Sequence, residues 1–193
     1  QYGIYNESTN NSELIILNCK IQNYHKAIGT SANNTRIENV TYNYPIEKIN
    51  VLGGSFFCEH LLRSSNNAII KIDNCTGETC YNIINFKELP KDYSYNVTIT
   101  NSSFITYVGL QIYNTNRLSS NKENIFICKG NTINSISDNS TFVFYDTSKL
   151  RYIIENNIIN TSKYLIEQVS PPNDITGFDS VYSINSNIIN TTF

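Results

Sequence analysis

A short pattern of apolar and turn-forming positions recurs along this chain. In the segment Val97–Phe104, apolar side chains stand at Val97, Ile99 and Phe104, and Asn101 lies between the last two. The same spacing fits seven segments, whose final positions are Ile21, Phe56, Gly77, Phe104, Ile133, Ile159 and Ile189. One asymmetric pattern repeated in this way predicts an array of similar structural units.

Alignment of the seven segments gives three informative columns. The first is apolar throughout and holds Leu14, Ile49, Ile70, Val97, Phe126, Tyr152 and Tyr182. The second is also apolar and holds Ile16, Val51, Ile72, Ile99, Cys128, Ile154 and Ile184. The third contains residues that tolerate a left-handed backbone, namely Asn18, Gly53, Asn74, Asn101, Gly130, Asn156 and Ser186. Two apolar columns on either side of a mixed one predict a strand with one buried face, and the third column predicts the turn that ends it.

The intervals between successive final positions indicate the fold class. They are 35, 21, 27, 29, 26 and 30 residues, too short for units that each contain a helix and two strands. Coils of this length that bury their apolar side chains on one another form a solenoid. An antiparallel sandwich also has short alternating strands, but it has no reason to repeat one pattern in register. We therefore predict an all-β fold, a parallel β-helix solenoid of about seven coils, as one unit over residues 1–193.

The strings Ile99–Phe104 and Ile184–Ile189 resemble the repeat of right-handed parallel β-helix proteins. That repeat occurs in pectin-lyase-like proteins and in adhesin-like surface proteins. The resemblance covers nearly the whole chain and implies a right-handed β-helix, but it specifies architecture rather than activity.

Composition excludes some classes of function. Charged residues make up 16% of the chain and the formal net charge is −2, so the basic surface that nucleic-acid binding requires is not expected. No apolar run approaches the length of a membrane-spanning helix. The 31 Asn and 37 Ser plus Thr are typical of a low-complexity chain, but 14 Tyr and 9 Phe supply enough apolar surface for a core.

Both ends of the sequence are expected to lie within an incomplete coil. Only the residues 190–193 follow the last repeat, and Gln1–Asn6 resembles the second half of the coil that contains Val108–Asn114. The sequence shows no polar cap, so we expect tandem units of a longer solenoid or separate copies stacked head to tail. Caps formed by omitted residues are the alternative. The expected interface comprises Gln1, Tyr2, Gly3, Ile4, Ile16, Ile21, Ile184, Ile189 and Phe193.

Ten Asn-X-Ser/Thr sequons occur in the sequence, where chance alone predicts about six. Placement is therefore more informative than number. Asn160 and Asn190 directly follow a buried position, so alternation points them outward. The sites expected to carry covalent N-glycans are Asn6, Asn10, Asn33, Asn39, Asn96, Asn139, Asn160 and Asn190. We expect Asn74 and Asn101 to be the least occupied, because amides in the turn column can pack against their stacked neighbours.

The five cysteines favour an oxidising, extracellular compartment over the cytosol. Cys58 and Cys80 fall two and three residues after the final positions of adjacent coils, and neighbouring strands ~4.8 Å apart suit a disulfide. A local bridge between Cys75 and Cys80 is the alternative. Cys128 occupies an apolar column and is expected to be a free, buried thiol. Cys19 and Cys75 share a column but lie two coils apart, too far to bridge.

Few residues are arranged for chemistry. His25 and His60 lie four residues after successive final positions, but two imidazoles without a third ligand make a poor metal site. Asp73 and Glu155 share a column three coils apart, and no adjacent coils are expected to place two carboxylates in one column. We therefore expect no catalytic residue, no metal and no cofactor other than covalent glycans.

The function expected from these features is that of a non-enzymatic structural subunit of an extracellular, glycosylated fibre, whose partner is a second copy of itself. A cell-surface adhesin is the first alternative, and it would show an exposed aromatic or loop-built binding patch. A secreted polysaccharide-active β-helix enzyme is the second, and it would require a charged groove. Neither nucleic acid nor a membrane span is expected.

Overall fold

A computed structural model describes residues 2–7, 12–43, 56–61, 67–87, 94–113, 123–145, 149–168 and 181–191. In chain order the strands are β1 (Tyr2–Asn6), β2 (Glu13–Leu17), β3 (Lys20–Gln22), β4 (Lys26–Thr30), β5 (Asn34–Glu38), β6 (Thr41–Asn43), β7 (Phe56–Leu61), β8 (Asn67–Asp73), β9 (Thr76–Lys87), β10 (Ser94–Thr100), β11 (Ser103–Tyr113), β12 (Glu123–Lys129), β13 (Thr132–Ser135), β14 (Phe142–Tyr145), β15 (Lys149–Glu155), β16 (Ile158–Thr161), β17 (Ile166–Gln168), β18 (Val181–Asn185) and β19 (Ile188–Thr191). The described part of the chain contains no helix of the length and apolarity needed to span a membrane.

All strand pairs in the described ranges are parallel, and the strands stack into a β-solenoid with three faces. The first face is a seven-stranded sheet in the order β18-β15-β12-β10-β8-β5-β2. The second face stacks β3, β6, the first halves of β9 and β11, β13, β16 and β19. The third face stacks β1, β4, β7, the second halves of β9 and β11, β14 and β17. Each face therefore runs the length of the stack, so the predicted fold class is confirmed.

One residue with a left-handed backbone ends each strand of the first face. These residues are Asn18 (φ 53°), Asn39 (φ 53°), Asn74 (φ 49°), Asn101 (φ 50°), Gly130 (φ 67°), Asn156 (φ 57°) and Ser186 (φ 53°). Asparagine and glycine adopt this conformation at low cost, because Gly lacks a Cβ and the short Asn side chain can hydrogen-bond locally. The sequence pattern thus fixes where the chain leaves the first face.

The core is built from side chains stacked in register between neighbouring coils. On the first face Ile70, Val97, Phe126 and Tyr152 are paired in one row and are all buried. Aromatic rings add edge-to-face contacts, as between Phe126 and Phe142, whose centroids are 5.0 Å apart. Burial of these rows provides the main stabilisation of the solenoid.

The predicted register is wrong in the second coil. There the strand of the first face is β5, with Thr35 and Ile37 buried and Asn39 at the turn, and Tyr42 is the final position. Phe56 instead opens β7 on the third face. Ile49, Val51 and Gly53 lie outside the described residues. The pattern of two apolar columns does not identify this strand, because the first column holds the polar residue Thr35. Its side chain is nevertheless fully buried.

The number of turns also differs from the prediction. Seven strands stack on the first face, but the solenoid makes about five turns.

Candidate functional site

The C-terminal end of the stack exposes the apolar rows of the core. Ile154 and Ile159 in the penultimate coil are fully buried, whereas the residues paired with them in the last coil, Ile184 and Ile189, are 43% and 41% exposed. Tyr182 in the same coil is 69% exposed. These side chains occupy core positions but have no described coil above them. The end of the solenoid is therefore an apolar surface.

Each end of the solenoid also presents strand edges. Within the described residues, β17, β18 and β19 each pair with one neighbour only, as do β1, β2 and β3 at the opposite end. Each end thus offers one edge strand from each of the three faces. Unpaired backbone groups on such edges are ready to form a ladder with another parallel strand.

A buried ladder of polar side chains runs towards the C-terminal end, inside the corner between the first and second faces. The Cys75 N–H donates to Ser102 Oγ (3.0 Å), the Ser102 N–H to Asn131 Oδ1 (2.9 Å), the Asn131 N–H to Asn157 Oδ1 (2.9 Å) and the Asn157 N–H to Asn187 Oδ1 (3.0 Å). Each coil therefore satisfies the buried N–H of the coil before it. Among the described residues, the N–H of Asn187 has no acceptor.

The N-terminal end is more closed than the C-terminal end. Ile16 and Ile21 are each only 6% exposed, and Tyr2 and Ile4 are half-buried. Gly3 allows β1 to approach closely, since a Cβ there would lie 2.7 Å from Ile21 Cγ2. Gln1 and Phe193, also expected at the interface, lie outside the described residues.

A cluster of polar side chains fastens β1 to the third face. Glu59 is 2% exposed and accepts hydrogen bonds from Lys26 Nζ (2.8 Å to Oε2), the Tyr2 hydroxyl and Asn85 Nδ2 (3.5 Å). The Tyr2 ring lies over Gly29, where a Cβ would stand 2.5 Å from it. Burial, followed by the hydrogen bond to Glu59, raises the pKa of Tyr2 above its ordinary value. We call Tyr2, Lys26 and Glu59 the clasp.

The sequons occupy several environments. Asn139 and Asn190 are exposed, whereas Asn6, Asn33, Asn96 and Asn160 are half-buried. Asn39 stands at a left-handed turn like Asn74 and Asn101, and all three are exposed. Amide-to-amide bonds join Asn74 to Asn39 (2.7 Å) and Asn190 to Asn160 (2.8 Å). Asn10 lies outside the described residues.

The predicted disulfides are not formed, and all five cysteines are free. Cys58 is paired with Ile84, and Cys80 with Thr106, so the shift of the second coil separates the two residues expected to bridge. Cys75 is also unbridged, and its Sγ lies 3.2 Å from the Asp73 carbonyl oxygen. Burial raises the pKa of Cys58 to about 12. The cysteines therefore give no support to an oxidising compartment.

The corrected register brings charged residues together on the first face. Glu38 is paired with Asp73 on the adjacent coil, so the expectation that no neighbouring coils align two carboxylates is wrong. Arg36 donates to Glu38 (Nη2–Oε2 2.8 Å), and this hydrogen bond lowers the pKa of Glu38. Asp73 accepts from Thr100 (2.6 Å). Each of these carboxylates thus has a partner, which is typical of a surface network rather than of a catalytic pair.

The two histidines are not partners in the strand register. His60 is paired with Thr30, whereas His25 lies before β4 and its pKa is lowered mainly by burial. Within the described ranges, no three His, Cys, Asp or Glu side chains are close enough to bind a metal.

Neither the polar ladder nor the clasp was anticipated from the sequence. The sequence does contain a sign of the ladder. The position after the turn holds Cys19, Val40 and Cys75 in the first three coils and polar residues in the four later coils. The clasp has no such sign, since Glu59 reaches its place only through the corrected second coil.

Comparisons with known proteins give no relative. No family model, no curated protein and no solved structure matches this chain.

Proposed function

We propose that this protein is a non-enzymatic structural subunit of an extracellular, N-glycosylated fibre, in which copies stack head to tail through the ends of their solenoids. The observation that carries the proposal is that, within the described residues, each end of the solenoid has one edge strand from every face. Head-to-tail contacts between such ends do not close, and they therefore generate a filament.

The rows at the two ends are compatible. If the next copy continues the register, Leu14 stacks on Tyr182, Ile16 on Ile184 and Ile21 on Ile189. The strands β18 and β19 carry no charged residue, so no like charges oppose each other there. Backbone ladders on three faces and burial of the exposed side chains of Tyr182, Ile184 and Ile189 supply the driving force.

The fibre that we propose is extracellular and carries N-glycans. The exposed Asn139 and Asn190 support N-glycosylation, since a glycan requires an accessible side chain. The turn pattern supports membership of the pectin-lyase-like β-helix superfamily, which is likewise part of the proposal.

A disulfide reporter tests the stacking. At the joint, Cys19 of one copy lies over Asn187 of the next, ~4.8 Å away, which suits a disulfide. The Asn187→Cys variant is therefore expected to form a ladder of covalent oligomers on mild oxidation. The Asn185→Cys variant is the matched control, because Asn185 is exposed at the end of β18, two residues before the corner position 187, and should not link to Cys19.

The alternative outcomes are distinct. The seven strands of the first face, at ~4.8 Å each, predict an axial repeat of ~34 Å in electron micrographs of filaments. A monodisperse monomer at millimolar concentration, with no cross-linking of Asn187→Cys, would refute self-stacking. In that case the C-terminal surface is left for a different coil or partner.

A further inference from the structure

We infer that β1 is a donated strand, which completes the third face of the neighbouring copy by pairing with its β17. The inference rests on the proposed stacking and assigns the contact on one face of the joint. In the described residues, β1 and β17 are the two terminal strands of the third face, and both have one open edge.

The register continues across the joint. One row of the third face runs Ile4, Ile28, Cys58, Ile84, Leu110, Phe142 and Ile166. The next copy's Ile4 therefore follows Ile166, and both side chains pack against the apolar core. The following row places Tyr5 beside Glu167. The second copy thus extends contacts that the molecule already makes between its own coils.

An isolated edge strand of five residues gains little stability from one neighbour. The clasp compensates for this, because Glu59 on β7 binds both Tyr2 on β1 and Lys26 on β4. Lys26 Nζ also lies 5.1 Å from the centroid of the Tyr2 ring. The clasp therefore presents β1 in its paired conformation before docking.

Pre-organisation of this kind favours association, since the ordering entropy of the strand is lost within the folded monomer rather than at the joint. Gly29 is also required for the clasp, because a methyl group at this position would displace the Tyr2 ring. We assign β1 and the clasp to the elongation of the fibre.

The test uses two reporters of the joint in the whole chain. The first is Asn187→Cys with the native Cys19. The second is the pair Ile4→Cys and Ile166→Cys in a Cys19→Ser background. Six strand spacings separate positions 4 and 166 within one molecule, about 29 Å, so a bridge between them can only be intermolecular.

Both reporters are expected to cross-link. Addition of Tyr2→Phe or Gly29→Ala to the second reporter should lower the cross-linked fraction at least about fivefold. Tyr24→Phe removes the hydroxyl of a tyrosine that lies outside the strands and is 39% exposed, and it should leave the cross-linked fraction unchanged. Far-UV circular dichroism establishes that each variant keeps its β-structure.

The outcomes separate the inference from the function on which it rests. If the first reporter cross-links and the second does not, stacking stands and the donated strand is refuted. If the clasp variants cross-link as well as their parent, the role of the clasp is refuted. If neither reporter cross-links, both the stacking and the inference fail.

Discussion

Replacement of Asn157 by alanine is expected to destabilise the solenoid strongly. Asn157 is 1% exposed. Its Oδ1 accepts from the backbone N–H of Asn131 (2.9 Å), and its Nδ2 donates to the Cys128 carbonyl (2.9 Å) and to Asn187 Oδ1 (2.8 Å). Its Oδ1 also accepts from Asn131 Nδ2 (3.1 Å). Asn157→Ala removes these bonds and leaves polar groups inside the corner without partners.

The magnitude follows from these lost partners. A buried polar group left unsatisfied costs about 1–3 kcal/mol. The Asn131 N–H loses its acceptor and the Cys128 carbonyl loses one donor, so the expected loss is about 2–5 kcal/mol. The low end applies if water enters the space left by the side chain.

Two neighbouring asparagines are matched controls for this substitution. Asn160 bonds Asn134 on the outer surface, so Asn160→Ala is expected to change the free energy of unfolding by less than about 0.5 kcal/mol. Asn156 has φ 57°, a conformation that glycine adopts freely, so Asn156→Gly is also expected to be nearly neutral.

Urea unfolding followed by circular dichroism measures all three variants under one set of conditions. The monomer must be used, so that assembly does not contribute to the apparent stability. A loss for Asn157→Ala no larger than that for Asn160→Ala would refute the assignment of the inner ladder as a structural element.

Other predictions concern the core, the thiols, the joint and the glycans. Ile99→Ala, at a fully buried residue, is expected to cost about 2–5 kcal/mol, and Ile184→Ala in the same row, at 43% exposure, less than about 1 kcal/mol in the monomer; equal losses in urea unfolding would contradict the register. Burial raises the pKa of Cys58, Cys80 and Cys128 to about 12, so folded thiols stay protonated while unfolded ones ionise. The contribution of these thiols to the free energy of unfolding is fully present below about pH 8 and declines as the pH rises towards 12. The urea midpoint should therefore fall over that window. A constant midpoint would count against burial of the thiols. Cys19→Asn should lower the critical concentration for filaments, because it offers an amide acceptor to the N–H of Asn187, whereas an unchanged value would place Cys19 elsewhere. Intact mass before and after enzymatic deglycosylation of protein from its native source should differ by whole glycans, and an unmodified mass would remove glycosylation from the proposal.

The sequence was sufficient for the architecture because the determining features are local. A residue with a left-handed backbone stands three positions before a buried one, as in Asn101 and Phe104. This spacing can be recognised in the sequence without knowledge of any long-range contact. The same reasoning failed in the second coil, where a buried threonine replaces an aliphatic residue. Thr35 is buried because of its neighbours in the stack, and a hydrophobicity assigned by residue type contains no information about those neighbours.

Pairings between coils were harder to predict, since they require the register of every coil. The proposed bridge between Cys58 and Cys80 depended on the second coil and failed with it. The clasp depends on the same coil, because Tyr2 and Glu59 are 57 residues apart in sequence. Only the correct number of residues in each intervening coil brings them together.

The corner between the first and second faces contains two residues in every coil, from Asn18 and Cys19 to Ser186 and Asn187. The other connections vary in length, since the distance from one turn residue to the next ranges from 21 residues after Asn18 to 35 after Asn39. Because the corner is constant, it sets the register of each coil independently of the lengths of the other connections. An insertion elsewhere therefore alters one loop and leaves the alignment of the coils before and after it untouched. Such a chain can diversify the loops it displays, at regular steps along its axis, without any change to the stack that carries them.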